Sequence, residues 1–89
     1  MPSFEWDPAK AASNLQKHGV TFEDAIKVFD DDQAVEAPDA DPDEERFKII
    51  GLAAGRLLTV VHTERRAQRF RIISAWKATK DEAKTYNQG

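Results

Sequence analysis

Apolar positions along the chain alternate between strand-like and helix-like periods, and each stretch predicts its elements. Phe4-Glu5-Trp6 reads as a short extended start. Asp7-Pro8 then opens a helix, because Asp7 can accept from free backbone N–H groups and Pro8 fits the first helical position. That helix is expected to run to His18, with Gly19 as its left-handed stop and Ala11, Ala12 and Leu15 facing the core. Thr21, with Asp24 three residues on, starts a second helix. Its Phe22, Ala25, Ile26 and Phe29 follow i, i+3, i+4, i+7 and predict one buried stripe. Asp30-Asp31-Asp32 ends it, since acids oppose the dipole at a helix C-terminus.

Beyond this point the period drops towards two. Ala34 to Glu36 reads as a short edge strand, and Pro38 to Glu45 as an acidic, proline-bearing loop. Three longer strands follow over 46–52, 56–63 and 69–75, the first two joined by a turn at Ala54-Gly55. Arg69-Phe70-Arg71-Ile72 alternates, so Phe70 and Ile72 should face away from Arg69 and Arg71. Thr79-Lys80-Asp81-Glu82 is a full capping box and starts a short C-terminal helix reaching about Asn87. The order predicts an α+β fold: two N-terminal helices packed on an antiparallel sheet, then a last helix.

The 89 residues suit a single domain spanning 1–89, with 40% hydrophobic and 33% charged positions as in a soluble globular chain. The absence of cysteine excludes disulfides and thiolate metal sites. No apolar run approaches the roughly 20 residues of a membrane span, and residues 1–7 lack a signal-peptide pattern. No membrane partner is expected, and the cytoplasm is the expected location.

Charge is distributed unevenly. Residues 1–45 hold three Lys against thirteen acids, for −10, and residues 46–89 hold ten Lys or Arg against three acids, for +7, which together make the net −3. Either the C-terminal half meets an anion or the two halves neutralise each other in the fold.

Candidate chemistry concentrates between His62 and Thr79. A hairpin there would gather a carboxylate, a histidine and several cations, which suits metal-free cleavage of a phosphodiester. Glu64 could take the proton of a ribose 2′-OH, or simply pair with Arg65 or Arg66 at a hairpin tip. His62 could act as acid or base, since an unperturbed imidazole titrates at about pH 6.5, or could be a buried core residue. Arg65 and Arg71 are the leading phosphate ligands, because guanidinium forks match phosphate oxygens in pairs. Lys77 could bind phosphate or protonate the leaving oxygen, and Arg66 and Arg69 extend the basic surface. The plain alternative for each cation is a solvated side chain. Glu64, Arg65 and Arg71 are expected in one exposed patch, with His62 and Lys77 at its margin. Ser74 reads as structural and His18 as a helix-end residue. His62 and Glu64 with an acid of the 39–45 loop lack the spacing of a metal cluster, and no glycine-rich phosphate loop is present, so no metal or cofactor is expected.

Four blocks together resemble the BrnT family: F-E-W-D-P-A-K at 4–10, N-L-Q-K-H-G-V-T-F-E-D-A at 14–25, H-T-E-R at 62–65, and R-I-I-S-A-W-K-A-T at 71–79. The resemblance implies a RelE-like fold and an endoribonuclease toxin of a type II toxin–antitoxin system that inhibits translation. It implies a BrnA-type ribbon-helix-helix antitoxin as partner, RNA as substrate, and operator DNA contacted only through the antitoxin. The family pattern has Arg where this chain has Trp76. Trp76 could stack on an RNA base or anchor the last helix. The departure leaves a second possibility open, a catalytically weakened toxin-like module that binds an antitoxin and modulates operator binding.

Overall fold

The computed structural model describes residues 2–39 and 45–88. Five strands and three α-helices are arranged as β1 (Ser3–Glu5), α1 (Pro8–His18), α2 (Phe22–Ala25) continued by a 3₁₀ segment (Ile26–Asp30), β2 (Val35–Asp39), β3 (Arg46–Ala53), β4 (Arg56–Arg66), β5 (Arg69–Lys77) and α3 (Lys80–Gln88). They form one sheet in the order β1-β5-β4-β3-β2.

The helix boundaries follow from capping. Asp7 accepts from Ala9 N–H at 2.9 Å, and Gly19 takes φ 70° while its N–H bonds Leu15 O. Thr21 Oγ accepts from Asp24 N–H at 3.1 Å. The buried face of α1 differs from the expectation. Leu15 is 48% exposed and Ala12 is exposed, whereas Asn14 is buried and Ala11 packs on the core. The polar residue turns inward because its carboxamide replaces a strand. Asn14 Nδ2 donates to Ala75 O at 2.9 Å and to Val20 O at 3.0 Å, and its Oδ1 accepts from Ala75 N–H at 3.1 Å. The edge of β5 beyond β1 is thereby satisfied.

The second helix is also shorter than its apolar stripe suggested. The α-helical turn gives way to 3₁₀ geometry at Ile26. Three residues per turn then align Phe22, Ala25 and Val28, all fully buried, while Ile26 and Phe29 pack at the margin. Gly51 of β3 permits this approach, since a Cβ there would meet Val28 Cγ1 at 2.8 Å. Asp31 secures the exit of the 3₁₀ segment. Its carboxylate accepts from Gln33 N–H, Leu52 N–H and the Tyr86 hydroxyl at 2.7–2.9 Å. The Leu52 N–H leads in holding the Asp31 carboxyl below its usual value, and the bonded carboxylate raises the Tyr86 hydroxyl.

The long strands β3, β4 and β5 are antiparallel. The sheet as a whole is mixed, because β1 pairs parallel with β5 through Ser3↔Arg69, Phe4↔Phe70 and Glu5↔Arg71. The strand expected near 34–36 runs on to Asp39 at an edge, where Pro38 is tolerated. The acidic loop expected over 38–45 falls partly on residues 40–44, which lie outside the described residues. The β4–β5 turn shrinks to Ala67-Gln68, with Gln68 at φ 62°, so Glu64, Arg65 and Arg66 lie within β4.

One face of the sheet, with Ile49, Ala53, Leu58, Val60, Ile72 and Ala75, packs under Val20, Phe22, Ala25 and Val28. α3 docks through Glu82, whose Oε1 accepts from Thr59, Trp76 and Thr79 at 2.9–3.0 Å. Burial raises the Glu82 carboxyl, yet these bonds and the nearby Lys48 outweigh it and leave it lowered. Among the described residues no helix is long and apolar enough to cross a membrane.

Candidate functional site

Three guanidiniums converge on one carboxylate where β1 meets the β4–β5 hairpin. Arg71 Nη1 donates to Glu5 Oε2 at 2.8 Å, Arg69 Nε lies 3.3 Å from Oε1, and Arg65 Nε lies 3.8 Å from Oε2. Alternation explains the meeting. Phe4 and Phe70 stack at 5.8 Å on the core side, so their neighbours Glu5, Arg69 and Arg71 face the other way. Arg65 reaches the same side from a register shift between Glu64 and Arg66. All four side chains are at least 31% exposed, so each ion pair stabilises the fold by about 0–1 kcal/mol. One carboxylate against three cations leaves a local excess of positive charge.

Arg65 and Arg71 therefore share a patch, as the hairpin geometry suggested, and Arg69 joins them. Glu64 does not. It pairs with Phe70 in the sheet register, and its Oε1 accepts from Gln68 N–H at 3.3 Å across the turn. Its place beside the arginines is taken by Glu5. His62 is likewise away from the patch margin. It is 1% exposed, with the rings of Phe29, Phe47 and Phe70 at 4.9–6.0 Å. Burial pushes its imidazole below 6.5 against the pull of Glu36 and Glu64, and Nδ1 has no hydrogen-bond partner. The strand run that carries His62 is buried on both faces, so alternation of Val and Thr could not reveal which side it took.

Lys77 is exposed at the far end of β5, six residues and about 20 Å from Arg71. Arg66 is exposed opposite Arg69. Ser74 donates to Asn14 Oδ1 at 3.2 Å, which fits its structural reading. Trp76 is half-buried, its Nε1 donates to Glu82 Oε1 at 3.0 Å, and its ring centroid lies 6.1 Å from that of His18.

A second basic feature was missed. A groove of about 200 Å³ runs between α1 and β5, lined by Lys10, Ser13, Asn14, Lys17, His18, Ile73 and Ser74. The signal was available in the helix. Lys10, Ser13, Asn14 and Lys17 recur at i, i+3, i+4 and i+7, a polar face around the buried Asn14. Glu5 had a weaker signal, since its role depends on β1 pairing with a strand more than sixty residues away.

Among the described residues no group of three or more His, Asp or Glu side chains is placed to hold a metal ion. The chemistry on offer is recognition of oxyanions by fixed guanidiniums beside a carboxylate able to accept a proton.

The family model of the BrnT ribonuclease toxin of type II toxin–antitoxin systems matches residues 6–82. The crystal structure of the Brucella abortus ribonuclease toxin, BrnT, superposes with a TM-score of 0.72 at 26% identity, covering 90% of this chain and 100% of that one. No curated protein matches the chain. A match over 6–82, together with a shared fold, places this chain in the BrnT family of type II toxin–antitoxin ribonuclease toxins.

Proposed function

We propose that this chain is a metal-independent endoribonuclease that acts on RNA in the cytoplasm and inhibits translation, and that a BrnA-type ribbon-helix-helix antitoxin neutralises it. Operator DNA would be contacted through the antitoxin. The fold would be RelE-like, a sheet that presents basic side chains to RNA. The observation that carries the reading is the convergence of Arg65, Arg69 and Arg71 within 3.8 Å of the Glu5 carboxylate.

The proposed reaction is intramolecular. The scissile phosphate sits on Arg65 and Arg71, with Arg69 beside them. The ribose 2′-oxygen attacks phosphorus and passes its proton to a carboxylate. The P–O5′ bond breaks, the 5′-oxygen takes a proton from water, and a 2′,3′-cyclic phosphate remains. Guanidiniums stabilise the added negative charge of the transition state more than the ground state. Glu5 is the better-placed base, and Glu64, the residue expected from sequence, is the alternative. His62 is buried and takes no part in this scheme. Lys77, Arg66 and Trp76 serve RNA contacts away from the scissile bond.

A second reading has specific support. Each guanidinium already has a carboxylate partner, and Trp76 stands where the family pattern has Arg. A toxin-like module with weak catalysis would bind its antitoxin equally well. RNA cleavage in the presence of EDTA decides between them, comparing wild type with Glu5→Gln, Glu64→Gln and Arg65→Ala. Loss with Glu5→Gln and Arg65→Ala is expected, with Glu64→Gln active. No cleavage by any form, with antitoxin binding intact, favours the binding module.

A further inference from the structure

We propose that the groove between α1 and β5 is a second phosphate-binding site, taking the phosphate of a nucleotide unit of RNA away from the bond that is cut. The ligand class rests on the ribonuclease reading above, whereas the site rests on its own geometry.

The groove is a polar concavity with a rigid floor. Asn14 is 5% exposed, and its carboxamide is spent on Val20 O, Ala75 O and Ala75 N–H at 2.9–3.1 Å. Ser74 is tied to the same oxygen. The floor therefore neither collapses nor offers further donors. The walls carry Lys10, Lys17, His18 and the hydroxyl of Ser13. Among the described residues, neither Lys10 nor Lys17 has a carboxylate within ion-pair distance. This contrasts with Arg65, Arg69 and Arg71, which share Glu5. Two unneutralised ammonium groups, an imidazole and a hydroxyl around about 200 Å³ suit a small oxyanion with several acceptor oxygens. An ammonium group binds phosphate as a point charge.

The helix dipole does not supply this attraction. Lys17 and His18 lie in the last turn of α1, where the partial charge is negative and favours cations. That end favours the Lys17 ammonium where it stands, and the side chains must attract the anion themselves. The site is thus expected to be weak and strongly salt-dependent, as contacts to RNA phosphates are. Ser74 at the groove and Arg71 in the arginine cluster are three residues apart on β5, about 10 Å. A single strand lying along this side of the sheet can reach both, so the groove would hold a flanking phosphate while the cluster holds the one that reacts.

The test measures binding without cleavage. Uridine 5′-monophosphate, inorganic phosphate and uridine are titrated into the full chain at low salt, followed by NMR shifts of His18 and the α1 amides. Wild type should bind the two phosphate-bearing probes and show no response to uridine. Lys10→Gln/Lys17→Gln removes only exposed side chains, should keep its melting temperature, and should bind the monophosphate at least roughly tenfold more weakly. Arg71→Ala should leave this affinity unchanged. The site is overturned by an absent wild-type response, by equal binding in the double variant, or by loss of the response in Arg71→Ala. Monophosphate binding without RNA cleavage would defeat the ribonuclease reading and leave the groove standing. Cleavage without monophosphate binding would do the reverse.

Discussion

The arginine cluster and the lysine groove are two concentrations of positive charge that differ in what holds them. In the cluster, the Glu5 carboxylate lies within 3.8 Å of three guanidiniums and is hydrogen-bonded to that of Arg71. In the groove, the charges are unpaired among the described residues, and the fixed group is the buried Asn14 beneath them. A cation oriented in advance by a carboxylate serves a transition state, whose charge appears at one place. A cation left free serves binding, where placement tolerates error. On the reading proposed above, the first region would carry the chemistry and the second would add affinity.

The strongest way to break this division is Arg71→Ala. Its guanidinium makes the shortest contact with Glu5, at 2.8 Å. Cleavage should fall by about 10²–10³, as when one transition-state donor is removed. The stability change should stay within about 1 kcal/mol, because the pair is partly exposed. A mere shift in KM with kcat unchanged would show that the cluster binds without catalysing.

Next in size is Asn14→Ala, which attacks the groove from below. It leaves Ala75 N–H, Ala75 O and Val20 O without their side-chain partner in a buried setting. A loss of about 3 kcal/mol in a denaturant melt is expected, the scale of stranded buried polar groups. Monophosphate affinity should drop with it, while the cluster remains assembled in the molecules that stay folded. A melt unchanged from wild type would mean that water replaces the carboxamide and that the floor is not rigid.

These two residues also show how far the sequence was legible. The strands, the capping boxes and the left-handed Gly19 could be read because each depends on neighbours within about four residues. The pairing of Arg65 with Arg71 was within reach, since one hairpin carries both. Glu5 was not, because its role requires a parallel pairing of β1 with β5 at the opposite end of the chain. Asn14 was hidden for a similar reason. A polar residue at an apolar position looks like a surface residue until the strand edge it satisfies is known. Leu15 was misplaced by the same ambiguity. For His62 the sequence allows both chemistry and core, and long-range packing of three phenylalanines decides its place.

A smaller effect comes from His62, which lies in the core against Phe29, Phe47 and Phe70 and outside both basic regions. Burial holds its pKa below the unfolded value of about 6.5. The unfolded chain therefore binds more protons between the two values, so this contribution is complete above about pH 6.5 and is lost as pH falls towards the folded value. The melting temperature should decline on acidification from about pH 7.5 to pH 5.5, and His62→Phe should flatten that slope. Amide exchange should quicken first at the hairpin end of β4 and β5, leaving α1 protected. An unchanged slope in His62→Phe would assign the pH dependence to other groups.

The smallest expected effect is that of Trp76→Arg, the change to the residue that the resemblance of the sequence implies at this position. Sequence alone would set a guanidinium at position 76 close to Arg71 and Lys77, where added charge favours cleavage. In the fold, Trp76 and Arg71 are five residues apart along β5, and the indole N–H donates to Glu82 at 3.0 Å. An arginine there would meet the same carboxylate, which already holds Thr59, the Thr79 N–H and Lys48 nearby. It would not be an unpaired buried charge, so the fold should survive. Its loss of packing against His18 and α3 should cost about 1 kcal/mol. Paired to Glu82, the guanidinium should change cleavage at the arginine cluster less than about threefold. A well-folded variant that cleaves tenfold faster would show that the arginine escapes Glu82 and reaches the phosphate, and the catalytic centre would then extend along β5 towards α1.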